Sequence, residues 1–154
     1  MRRDYFTITF DGIDPAASQD MPTMAIEFEG PTAALTERLE TPSGDRLTAE
    51  ETDVAFRLQP ERDDDPETGV ISVTNRITGD FVLELNADVD TVFEFIQAAR
   101  RYGQESGTDD GKFRVRLVVE GSDLVAYEKT TWLVYDGEGN LLRQRSLIPS
   151  GVEL

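Results

Sequence analysis

Residues 81–103 read Phe81-Val82-Leu83-Glu84-Leu85-Asn86-Ala87-Asp88-Val89-Asp90-Thr91-Val92-Phe93-Glu94-Phe95-Ile96-Gln97-Ala98-Ala99-Arg100-Arg101-Tyr102-Gly103, and the hydrophobic period changes inside this stretch. Phe81, Leu83 and Leu85 recur at every second position, which puts them on one face of a strand. From Val89 the spacing becomes helical. Val89, Val92, Phe93, Ile96 and Ala99 form one stripe, which Phe95 and Tyr102 widen. Asn86 or Asp88 can cap this helix, Asp88 and Asp90 oppose the positive end of its dipole, Arg100 and Arg101 occupy its last turn, and Gly103 can end it. The stretch therefore predicts a strand feeding a helix over about 88–102.

Working outward, Val70 to Arg76 and Phe81 to Asn86 read as a hairpin around Thr78-Gly79-Asp80. Further upstream, Phe6, Ile8 and Phe10, then Met24, Ile26 and Phe28, then Val54, Phe56 and Leu58 each alternate with more polar neighbours, the pattern of half-buried strands. Leu35 and Leu39 fit either one helical turn or a strand, and strand is the preferred reading; Thr41-Pro42-Ser43-Gly44 then turns the chain. Gln59 to Gly69 and Glu105 to Gly111 are acidic loops. Downstream, Phe113 to Glu120, Leu124 to Asp136 and Leu141 to Ile148 read as a three-strand antiparallel meander with turns at Gly121-Ser122 and Gly137 to Asn140. The middle run is long for a strand, so a bulge or bend is expected near Lys129-Thr130-Thr131. Together these segments predict an α+β fold in one domain over 1–154: a mainly antiparallel sheet system of about eight to ten strands with one long helix packed on it.

Charge is the dominant compositional feature. The chain carries 31 Asp and Glu against 15 Lys and Arg, a net charge of −16, and 13 of those cations are Arg. Such self-repulsion disfavours a compact state in dilute buffer, whereas about 1 M salt shortens the Debye length to roughly 3 Å. The sequence thus reads as that of a halophilic protein. Without Cys or His it has no disulfide, no thiolate or imidazole metal ligand, no Cys nucleophile and no His general base. No cofactor and no metal site is expected. Met1-Arg2-Arg3 superficially suggests a twin-arginine signal, but Asp11, Asp14 and Asp20 interrupt the residues after Phe10, and no segment approaches the roughly 20 apolar residues of a membrane span. A soluble, cytoplasmic protein is expected.

The acidic clusters lend themselves to bland readings. Asp136-Gly137-Glu138-Gly139-Asn140 resembles the opening of a calcium loop, but Leu141 and Leu147 stand where Gly and Glu are required, so a solvated hairpin turn is preferred. No phosphate-binding Gly-rich motif is present, and Ser150-Gly151 has no His partner. The positive constellations are more informative. Residues 111–154 hold six acidic and six basic side chains, so the whole negative excess lies upstream. Within this region Arg114 and Arg116 share one strand face, as do Arg143 and Arg145. Were both pairs to face the same way, with Tyr127 or Tyr135 nearby for stacking, they would form an anion-binding patch; ion pairing with Glu120, Glu128 or the acidic loops is the favoured alternative. Arg100 falls inside the buried stripe of the helix while Arg101 points to solvent. That makes Arg100 a candidate for a buried ion pair or a ligand contact, with snorkelling onto the last helix carbonyls preferred.

Thr78-Gly79-Asp80-Phe81-Val82-Leu83-Glu84, Ala98-Ala99-Arg100-Arg101-Tyr102-Gly103, Leu133-Val134-Tyr135-Asp136 and the closing Ser146-Leu147-Ile148-Pro149-Ser150-Gly151-Val152-Glu153-Leu154 resemble a haloarchaeal family of unknown function along the whole chain. The resemblance implies no activity, cofactor or site residue. The preferred functional reading is a non-enzymatic interaction or regulatory module whose partner is another protein. Anion or nucleic-acid binding through the Arg face comes second and a carboxylate-based enzyme third; no membrane partner is expected.

Overall fold

The alternating segments pair as two separate four-stranded sheets in the computed structural model, which describes residues 5–13, 21–59, 68–105, 107 and 110–149. The elements run β1 (Phe6–Asp11), β2 (Thr23–Phe28), α1 (Thr32–Arg38), β3 (Thr52–Leu58), β4 (Thr68–Asn75), β5 (Phe81–Asp88), α2 (Val89–Glu105), β6 (Phe113–Val119), β7 (Ser122–Lys129) and β8 (Leu133–Tyr135). The first sheet has the order β1-β2-β6-β7 and the second β5-β4-β3-β8. Each is mixed: β2 runs parallel to β6 and β3 parallel to β8, while the other neighbours are antiparallel. The α+β class, the strand number and the long helix agree with the sequence reading.

Period-two burial points Met24, Ile26 and Phe28 of the first sheet, and Val54, Phe56, Ile71 and Val73 of the second, into one contiguous core. The helix α2 packs against the inner faces of both sheets. Its Phe95 ring lies 5.1 Å from Phe10 and 5.9 Å from Phe113, and its Phe93 ring lies 6.4 Å from Phe56. Trp132, fully buried, completes this aromatic centre 5.4 Å from Phe113. Asp88 is the cap: its Oδ2 accepts the Thr91 backbone N–H at 3.0 Å.

Four local expectations need correction. Residues 32–38 form the helix α1, not a strand; Leu35 and Leu39, one helical turn apart, are both fully buried, and the Pro31 carbonyl accepts the Ala34 and Leu35 N–H groups. Phe81 leaves the Leu83 and Leu85 face because a bulge inserts Val82 between the Thr74↔Phe81 and Val73↔Leu83 pairs, which buries Val82 and leaves Phe81 50% exposed. Gly103 does not end α2, which continues to Glu105; a Cβ there would overlap the Asp110 carbonyl oxygen, so glycine permits the 110–112 loop to lie directly on the helix.

The largest correction concerns the terminal meander. Only its first two strands pair, as β6 and β7, through a tight turn at Glu120-Gly121 whose two positive φ values, 52° and 80°, suit a primed two-residue hairpin turn. At Thr130-Thr131, where a bend was expected, the chain leaves the first sheet altogether and enters the second as β8 beside β3. Residues 141–148 then form no strand, making only the isolated bridges Tyr135↔Leu141 and Trp132↔Leu147. The physical reason is the run Trp132-Leu133-Val134: Trp132 and Val134 are fully buried in the shared core, which a continued β7 edge could not provide.

Candidate functional site

Arg114 and Arg116 occupy alternate positions of β6, whose Phe113, Val115 and Leu117 face the core, so both Arg side chains lie on the outer face of the first sheet. Each meets an acid on the adjacent β7. Arg114 Nη2 lies 3.3 Å from Glu128 Oε1, and Arg116 donates through Nε and Nη2 to Asp123 Oδ1 at 2.9 and 2.7 Å. The Asp123 hydrogen bond is the main influence raising the Arg116 pKa. Tyr127 does not stack on this face. It turns inward and donates its hydroxyl to the Leu47 carbonyl at 2.7 Å, while Tyr135 belongs to the other sheet.

Arg143 and Arg145 are elsewhere, in the turn between the Leu141 and Leu147 bridges, so the four Arg do not share a sheet face. The Arg145 guanidinium carbon sits 4.8 Å above the Phe93 ring. Arg100 is neither buried against a carboxylate nor turned onto its own helix end. Its Nη2 donates to the Gln144 carbonyl at 3.1 Å and to the Ser146 carbonyl, strapping the terminal segment to α2. Arg101, expected in solvent, is half-buried and donates to the Ile13 carbonyl at 3.0 Å. Arg143 comes round to the Arg100 side, and the two line a hollow of about 300 Å³ with Gln104, Gly111, Ser146, Leu147 and Ile148. This pairing of Arg100 with Arg143 was invisible in the sequence, because it depends on the chain crossing between sheets.

A second hollow, of about 440 Å³, opens at the C-terminal ends of the parallel strands β2 and β6, where Glu27, Glu29 and Glu120 line it beside Phe28, Thr32 and Val119. Its charged side chains are carboxylates alone, and among the described residues no group of three or more acidic side chains is arranged to hold a metal ion. Asp136 closes a turn. Its Oδ1 accepts the Glu138 and Asn140 N–H groups, each at 2.9 Å, and these bonds, led by that from Asn140, hold its carboxyl below the usual carboxylate range. The Asp63-Asp64-Asp65 cluster, Asp109 and Ser150-Gly151 lie outside the described residues.

The outer face of the second sheet differs from both hollows. Strand registry aligns Phe81 with Thr74 and Asp53; Glu84 with Ser72, Ala55 and Leu133; and Asn86 with Val70, Arg57 and Tyr135. Asp53 pairs with Arg76 at 2.5 Å, and on this face the acids Asp53, Glu84 and Asp88 stand against Arg57 and Arg76, so its formal charges nearly balance. At one end of this face Phe81 and Ile77 are 50% and 56% exposed. Neither described helix covers it, since α2 packs on the inner faces and Leu35 of α1 enters the core. A nearly charge-balanced sheet face with exposed apolar side chains contrasts with the net charge of −16 of the whole chain.

These features define an α+β fold in which two mixed sheets share a core with one long helix. The chain belongs to a family of unknown function, DUF5793, whose family model matches residues 1–154. That agrees with the resemblance to an uncharacterised family read from the sequence. No curated protein and no solved structure matches the chain. Among the described residues, no helix is long and apolar enough to cross a membrane.

Proposed function

We propose that this protein is a non-enzymatic interaction module that works in concentrated salt and binds a protein partner through the outer face of its second sheet. The observation that carries the reading is the exposure of Phe81 and Ile77 beside a nearly charge-balanced face bearing Val70, Ala55, Leu133 and Tyr135. Apolar contact strengthens in salt whereas charge steering is screened, so such a face suits a halophilic interior, and a cytoplasmic location accords with it. Nucleic-acid binding by the outer face of the first sheet has less support, because Arg114 and Arg116 already meet Glu128 and Asp123 and no aromatic side chain stands among them.

The test is affinity capture in molar KCl from a halophilic lysate, comparing the wild type with Ile77→Ser/Phe81→Ser. Both positions are exposed, so the variant keeps its fold and loses apolar contact area alone. The reading expects the specific partner to be lost or strongly depleted with the variant. Identical capture by both proteins would place the contact elsewhere and sink the proposal.

A further inference from the structure

An open sheet edge can pair with further backbone, and folded chains usually guard it with a charge, a proline, a bulge or a covering segment. In the second sheet, β8 is covered: Leu142 and Leu147 donate to the Val134 and Trp132 carbonyls. The other edges β5 and β7 carry charge, Glu84 and Asp88 on the one, Asp123, Glu128 and Lys129 on the other. β1 has no such guard. It ends the first sheet, and among the described residues no strand pairs with its far side. Its register with β2 is unbroken, and Phe6-Thr7-Ile8-Thr9-Phe10 contains neither a charge nor a proline, in a chain of net charge −16. These five residues also read the same in both directions.

The ladder between β1 and β2 fixes which backbone groups face outward. The Glu29 N–H donates to the Tyr5 carbonyl at 2.8 Å, so the pairs that exchange hydrogen bonds are Tyr5 with Glu29 and then every second residue: Thr7↔Glu27, Thr9↔Ala25 and Asp11↔Thr23. The N–H and C=O groups of Phe6, Ile8 and Phe10 therefore point away from β2, and none of them bonds to a described residue. Side-chain burial agrees with an open edge. Ile8 and Phe10 pack against the core but stay half-buried, whereas their register partners Ile26 and Met24 are fully buried; Thr7 and Thr9 stand exposed on the outer face. The first sheet thus ends in outward backbone donors and acceptors flanked by apolar surface.

We infer that β1 is a dimerisation edge: two copies of this chain join their β1 strands antiparallel about a two-fold axis at Ile8, merging their first sheets into one. An antiparallel pair related by a two-fold axis sets each strand against its own reverse, and a palindromic strand then matches like with like. Phe6 meets the partner copy's Phe10, Thr7 its Thr9 and Ile8 its Ile8. The same axis brings the outward groups of Phe6, Ile8 and Phe10 together, so all three positions exchange both N–H···O bonds. Ile8 and Phe10 gain the apolar cover they lack in one copy, and the Thr hydroxyls line up across the axis. Asp11, the charge at the end of β1, falls opposite Tyr5, so within β1 no carboxylate opposes another. Concentrated salt screens the remaining repulsion between two copies of charge −16. This edge is separate from the outer face of the second sheet, and the inference does not rest on that face.

The test is sedimentation equilibrium of the full chain over a concentration series in molar KCl. A reversible equilibrium between the 17.2 kDa chain and a species of twice that mass is expected, tightening as KCl is raised. Ile8→Pro removes the N–H at the axis, which β2 does not use, and should leave a folded monomer by circular dichroism. Thr7→Lys/Thr9→Lys sets ammonium against ammonium across the axis and should raise the dissociation constant about tenfold, although it lowers the net negative charge. Thr7→Lys/Thr9→Glu sets opposite charges there and should dimerise at least as well as the wild type. Both Thr positions are exposed, so these two variants decide the matter if Ile8→Pro fails to fold. Ile77→Ser/Phe81→Ser, on the second sheet, should dimerise like the wild type, which keeps this result distinct from partner capture by that face. A monomer at every concentration would overturn the inference. So would a dimer that treats the two Thr variants alike, or one that Ile77→Ser/Phe81→Ser dissociates.

Discussion

Tyr127→Phe separates two consequences of one buried hydroxyl. Tyr127 is 7% exposed on β7 and donates to the Leu47 carbonyl at 2.7 Å. At neutral pH the variant loses that bond and leaves the carbonyl without it, a cost of about 1 kcal/mol. Burial, the leading cause, pushes the phenol from its ordinary 10.0 up to about 12. Between those values the unfolded chain has lost the proton that the folded chain keeps, so the folded state binds more protons and stability falls as pH rises. Over the full window of about 2 pH units that is roughly 2.7 kcal/mol, absent in the phenylalanine variant. The wild type should therefore be the more stable protein by about 1 kcal/mol at pH 8, lose this lead between about pH 10 and 11, and be the less stable one near pH 12. Lys129, whose pKa burial lowers, titrates in both proteins, so its contribution cancels in the difference. The assay is urea unfolding of both proteins across this range at fixed molar KCl. A stability difference that does not change with pH would refute the burial argument.

Gly69→Ala should destabilise by about 2 kcal/mol or more, against the usual small gain from replacing glycine, because the new Cβ would meet Phe56 Cζ at 2.5 Å and the Arg57 carbonyl oxygen at 2.6 Å. A melting temperature at or above that of the wild type would show that the Phe56 pocket yields. Arg100→Ala should cost about 1–2 kcal/mol through the lost Gln144 and Ser146 carbonyl bonds, less than the roughly 3–5 of a broken buried ion pair, and Arg101→Ala should cost no more than that. Denaturant titration distinguishes these values, and an Arg100 loss in the ion-pair range would mean that the strap is not its main interaction. The melting temperature should rise steeply between dilute buffer and about 1 M KCl as repulsion among the carboxylates is screened; equal values in both would remove the halophilic reading.

The sequence carries the fold where a local period decides it. The switch at Asp88, the Val70–Asn86 hairpin and the alternating inner faces of β1, β2, β3 and β6 are written in side-chain spacing, and packing obeys them. It carries α1 poorly, because Leu35 and Leu39 are four residues apart, an even spacing that a strand face and a helix face share. Phe81 departs from its expected face because a bulge changes parity without a residue type to announce it. Sheet membership was the least legible property. Within Leu124 to Asp136 the polar run Glu128-Lys129-Thr130-Thr131 announces a bend but not a change of sheet, and only the parallel pairing with β3, distant in sequence, puts β8 in a different sheet from β7. The candidate sites inherit that limit: Arg114 and Arg116 share a face as strand geometry requires, whereas the meeting of Arg143 with Arg100 arises from tertiary topology.

One crossing thus generates both candidate surfaces. After Thr131 the chain places Trp132 and Val134 in the core and turns Leu133 and Tyr135 onto the outer face of the second sheet. It then folds back so that the Ser146 hydroxyl and the Leu147 backbone bond to Val134 and Trp132 while the Ser146 carbonyl accepts from Arg100. With three residues, β8 is short for a strand, and these returns help hold it in place. The docked segment in turn keeps Leu133 and Tyr135 registered against Ala55 and Arg57.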